Sequence, residues 1–118
     1  MLHVRTITLL LALASTLAAA GVTGKWKGTI KTDGGEGMPA YMALEQSGNT
    51  VTGKAGGSET MVFNITLGKL EGDRLTIEAS PRAGTVLRFV LTLKGDTLGG
   101  DAHENGNYVG AVSLMRAP

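Results

Sequence analysis

Asp101-Ala102-His103-Glu104 is the stretch with the most chemical potential in this chain, and His103 is the only histidine outside the first few residues. In a strand, residues two apart share a face, so Asp101 and His103 would set a carboxylate beside an imidazole, a pair able to move a proton or hold a cation. The same alternation puts both on the face opposite Leu98 and Gly100, next to an Asn105-Gly106 turn. A solvated strand end is therefore expected, and catalysis would rest on one imidazole. The chain has no cysteine to serve as nucleophile or soft metal ligand. No Gly-x-Ser-x-Gly elbow occurs, and Gly56-Gly57-Ser58 lacks the lysine and spacing of a phosphate loop. Asp33-Gly34-Gly35-Glu36-Gly37 offers two carboxylates, whereas calcium takes roughly six to eight oxygens. Asn64-Ile65-Thr66 fits a glycosylation sequon, which matters only in a eukaryotic secretory route. We expect no enzyme, no cofactor and no metal site.

The ends and the charge narrow the setting. Residues 1–20 carry a short basic head with His3 and Arg5, an apolar run of small residues from Ile7, and an Ala18-Ala19-Ala20 end that suits signal peptidase. The run falls short of the ~20 residues that cross a bilayer as a helix, so a leader cleaved after about Ala20 is expected and not a retained anchor. The protein would then be secreted or periplasmic, with a single domain over residues 21–118 and no membrane span. Removing 20 residues from 118 leaves 98, and removing Arg5 leaves ten basic residues against ten acidic ones. A neutral chain with few aromatic residues has no electrostatic footprint for nucleic acid. An exported chain without disulfides must hold through burial and backbone pairing.

Eighteen glycines all follow residue 20, and the runs between them alternate apolar and polar residues with period two. Strands are predicted over 22–32, 39–46, 50–55, 60–67, 74–80, 85–93, 97–103 and 108–116. That is an all-β, up-and-down antiparallel meander of about eight strands closing into a small barrel. Three links repeat one pattern: Ser47-Gly48-Asn49-Thr50-Val51, Glu71-Gly72-Asp73-Arg74-Leu75 and Lys94-Gly95-Asp96-Thr97-Leu98. Gly with Asn or Asp suits tight hairpins, and this spacing puts all three tips at one end, with Glu104-Asn105-Gly106-Asn107 at the other. A solenoid has a similar period, but the strands between tips differ too freely for stacked repeats.

The inward face is expected to hold Trp26, Ile30, Met42, Leu44, Val51, Met61, Phe63, Ile65, Leu67, Leu75, Ile77, Leu87, Phe89, Leu91, Leu93, Leu98, Val112 and Leu114. Lys25, Lys27, Thr52, Lys54, Thr76, Glu78, Arg88 and Thr92 face water. Gly28, Gly53 and Gly100 share the inward phase, where they either let the sheet bend or leave room for a ligand.

Gly24-Lys25-Trp26 on the first strand and Arg116 on the last resemble the calycin group of lipocalins, fatty-acid-binding proteins and avidins. The resemblance implies that Trp26 plugs one barrel end and Arg116 stacks on it, closing the barrel. Val22-Thr23-Gly24-Lys25-Trp26 also resembles the opening of an avidin. However, Lys27-Gly28-Thr29 stands where avidins hold biotin with polar side chains, and the further pocket tryptophans are missing, so biotin binding is not implied.

The expected function is non-enzymatic binding of a small apolar ligand inside the barrel, through Tyr41, Met42, Met61, Phe63 and Phe89 near the mouth. Met38 is a further soft side chain of the kind that lines pockets. The alternative is an envelope or extracellular accessory module with a filled core, acting on a protein partner through an exposed apolar patch around Tyr41, Val86 and Val90.

Overall fold

The structure, a computed structural model, describes residues 21–118; the expected leader lies outside the described residues. Eight strands follow in order: β1 (Gly24–Lys31), β2 (Gly37–Ser47), β3 (Thr50–Ser58), β4 (Met61–Glu71), β5 (Arg74–Arg82), β6 (Thr85–Lys94), β7 (Thr97–Glu104) and β8 (Asn107–Ala117). Each pairs antiparallel with its neighbour, and β8 returns to β1, with Arg116 opposite Trp26 and Leu114 opposite Gly28, so the meander is a closed barrel. Closure leaves no sheet edge exposed, the liability of an open meander.

The three echoed links are two-residue hairpin turns. Gly48, Gly72 and Gly95 take φ of 62°, 63° and 57°, the left-handed conformation that only the first central residue of a type II′ turn needs. The residue after each glycine does a second job. Asn49, Asp73 and Asp96 each accept, through the backbone carbonyl, an amide from the next strand over: Leu70 at 2.9 Å, Leu93 at 2.7 Å and Arg116 at 2.8 Å. Each tip is thereby pinned to the strand that follows its hairpin. At the opposite end Asn105 and Gly106 both have positive φ, 50° and 86°, as a type I′ Asn-Gly turn requires.

Trp26, Leu75, Ile77, Leu91, Leu98 and Leu114 are fully buried and form the centre of one apolar core with Met42, Leu44, Val51 and Phe89. Val51, Leu75 and Leu98, the apolar residues that end the three echoed motifs, occupy equivalent inward sites one residue into their strands. Outward positions such as Lys25, Lys27, Thr52, Lys54, Arg88 and Thr92 are exposed. A wet outer face around a dry interior is the reverse of a lipid-facing barrel.

One expectation changes, and one of two open readings closes. Leu67 is not inward but 47% exposed. Ile65 lies opposite Ala79 while Leu67 lies opposite Glu78, so Thr66 is an extra residue on β4 and inverts the phase beyond it, handing the inward sites to Gly68 and Leu70. The Thr66 hydroxyl donates to the Glu78 carbonyl at 3.2 Å at this bulge. The inward glycines leave no room for a ligand. A Cβ on Gly28, Gly53 or Gly100 would fall on the carbonyl oxygen of Ser113, Ala43 or Val90 respectively, so these glycines let neighbouring backbones approach where the sheet curls.

Candidate functional site

The two ends of the barrel differ in finish. At the end where β1 begins and β8 ends, Trp26 is fully buried and its indole N–H donates to the Val22 carbonyl at 2.9 Å. The Arg116 guanidinium lies 4.4 Å from the Trp26 ring centroid. It donates to the Thr23 and Gly21 carbonyls at 2.9 and 2.8 Å and pairs with Asp96 at 3.0 Å. Val22 donates its amide to the Gln46 side chain at 3.0 Å. This end is sealed by satisfied polar groups over an aromatic plug.

The other end is open and apolar. Met38, opposite Ile30 and in phase with buried Ala40 and Met42, is 45% exposed. Phe63, opposite core residue Ala55, is 39% exposed, and Met61, two residues nearer the rim, is 66% exposed. Ile30, Ile65, Leu87 and Val109 are half-buried against the core just below. Bulges at Gly57 on β3, after Ala79 on β5 and at Val109 on β8 fall at this end, the usual place for such irregularities on a barrel rim.

The five residues expected to line a ligand site are therefore not one lining. Met61 and Phe63 stand at the mouth. Met42 and Phe89 are packed deep in the core. Tyr41 is buried but lies on the outer wall: it pairs with exposed Lys27, while its neighbours Ala40 and Met42 take the inward phase. There it helps line a groove of about 470 Å³ with Lys27, Pro39, Ser58, Glu59 and Thr60, where Glu59 at the β3–β4 turn reaches Lys27 at 3.5 Å and Lys25 at 4.0 Å. Register puts Tyr41 opposite Gly56, which has no side chain to hold the ring off the sheet. The expected apolar patch around Tyr41, Val86 and Val90 is not continuous, since Tyr41 is buried on β2 while Val86 and Val90 lie on β6, four strands away around the barrel.

Met38, Ile30, Ile65 and Leu87 complete the mouth. Their signal in the sequence was phase combined with nearness to a link at the open end. Asp101 and His103 do face outward, and His103 meets the edge of Tyr108 with ring centroids 5.8 Å apart. Among the described residues no three of His, Asp and Glu gather as metal ligands. No protein-family model, curated protein or solved structure matches this chain.

Proposed function

We propose that this small barrel binds an apolar molecule at its open end, as an exported, non-enzymatic carrier with the layout of a calycin. One observation carries the reading: inward-facing Met38, Met61 and Phe63 are 39–66% exposed at one end while the other end is sealed. Large apolar side chains left wet on a barrel rim gain free energy when a ligand covers them, ~25 cal/mol per Å². Two flexible thioethers let the surface adapt to more than one shape. Because the lower barrel is filled, the ligand sits in the mouth and does not run down the axis.

The test is a titration of protein labelled at the methionine methyls with a panel of long-chain alcohols and retinoids. Saturable movement of the Met38 and Met61 signals is expected, with Met115, 63% exposed on the outer wall, unmoved. Met61→Ser should weaken binding by ~1 kcal/mol, about fivefold. No saturable movement with any member, or equal movement of Met115, overturns the reading and favours the accessory module, whose partner would be a protein.

A further inference from the structure

We propose a second site on the outer wall over β6 and β7 that binds a small carboxylate with an aliphatic body. It is separate from the mouth and built from residues that neither the core nor the mouth uses.

Register places Glu78, Arg88, His103 and Tyr108 directly opposite one another across β5, β6, β7 and β8. Arg88 is held in place: its Nε donates to Glu78 Oε2 at 2.9 Å, and its Nη2 lies 2.7 Å from the same oxygen. A guanidinium has five N–H donors in a rigid fork, so one carboxylate oxygen uses only part of it. The remainder borders a groove of about 320 Å³ lined by Val86, Arg88, Val90, His103, Asn105 and Gly106. Val86 and Val90 flank Arg88 on the same face of β6, so apolar walls stand on both sides of a fixed cation. His103, whose ring meets the edge of Tyr108, supplies a second polar side chain.

The roof is also fixed. The Asn105 side chain accepts the Val86 amide at 2.8 Å and donates to the Gly84 carbonyl at 3.1 Å, while the Asn105 amide donates to Val86 at 2.9 Å. The β7–β8 turn is thus tied to the start of β6, and the groove keeps its shape without a ligand. Arg forks match carboxylate geometry, and charge-assisted bonds are roughly twice as strong as neutral ones. Charge sets the limit on affinity. Glu78 is already engaged by Arg88, and exposed Asp101, opposite Val90, stands on the same wall. Solvent screens Asp101 more than it weakens a direct fork contact, so binding is favoured but modest, and removing that charge should tighten it.

The test follows backbone amides and the Arg88 Nε–H of the purified protein during titration with hexanoate, acetate, inorganic phosphate and hexanol. Hexanoate should move Val86, Arg88, His103 and Gly106 saturably, and bind at least fivefold more tightly than acetate or phosphate. Arg88→Gln should lose tenfold or more, Asp101→Asn should gain about twofold, and His103→Gln, which leaves the Glu78 pair intact, should lose about threefold. Hexanol moving these signals as strongly as hexanoate overturns the proposal, as does phosphate binding more tightly than hexanoate. So does hexanoate shifting only Met38 and Met61, a result that would leave the mouth reading standing.

Discussion

Arg116 makes more kinds of contact than any other described side chain. It covers the face of Trp26, donates to the Gly21 and Thr23 carbonyls and pairs with Asp96, while its own amide is bound by the Asp96 carbonyl. These terms are unequal. The cation over the shielded ring contributes ~1 kcal/mol or more and each carbonyl bond about 1 kcal/mol. The pair with Asp96, whose side chain is 78% exposed, is worth little in water. Arg116→Ala should therefore cost about 3 kcal/mol in urea unfolding, and Asp96→Asn less than ~1 kcal/mol. Arg116→Lys should recover under half of the loss, because a lysine cannot fork to two carbonyls. An Arg116→Ala protein within ~0.5 kcal/mol of the parent would mean that the end is sealed by Trp26 packing alone. In the sequence this contact was an implication of the resemblance of Gly24-Lys25-Trp26 and Arg116 to calycin barrels; closure pairs the first strand with the last, and the register sets Arg116 opposite Trp26. Tyr41 was not legible: alternation put it on the outer face, but a large aromatic in a barrel reads as interior until the register sets it opposite Lys27 and Gly56.

At the scale of the elements, strand order followed from alternation and four of the seven hairpin links from turn chemistry, and the strand boundaries fell within a few residues of expectation. The miss on β4 was a miss of phase. Ile65 and Leu70 both pack on the core and are five apart, an odd spacing that strict alternation cannot turn to one face, so an extra residue must fall between them. The glycines show why packing is harder to read than pairing. Gly99 and Gly100 are neighbours on β7 and look alike in sequence. A Cβ on Gly100 would strike the Val90 carbonyl and Leu91 Cα, whereas one on Gly99 would meet only the Val112 oxygen at 3.7 Å. Gly100→Ala should thus lose about 2–3 kcal/mol through a forced backbone shift. Gly99→Ala should fall within ~0.5 kcal/mol of the parent, or gain slightly from reduced freedom of the unfolded chain. Equal effects in thermal unfolding would refute the view that Gly100 marks a point of close strand approach.

The whole molecule grades from a sealed end to a soft one, and the three echoed tips belong to the sealed end. Turns usually fray, but here the amides of Leu70, Leu93 and Arg116 are tied to the tip carbonyls of Asn49, Asp73 and Asp96, directly beneath fully buried Leu75 and Leu98. The mouth has no equivalent around the β3–β4 link, where Met61 is mostly exposed and the register shifts beside it. Local opening requires little free energy where few apolar contacts are lost, and approaches the global value where the core itself must open. Native-state hydrogen exchange should therefore find the Leu70, Leu93 and Arg116 amides within about tenfold of the slowest in the protein, and amides around Met61 at least a hundredfold faster. An apolar ligand at saturation should slow the mouth amides and leave the tips unchanged, because binding stabilises only the openings that expose its site. Tips that exchange as fast as the mouth would show that the repeated Gly-Asn and Gly-Asp turns set strand direction only, with no share in holding the closed end together.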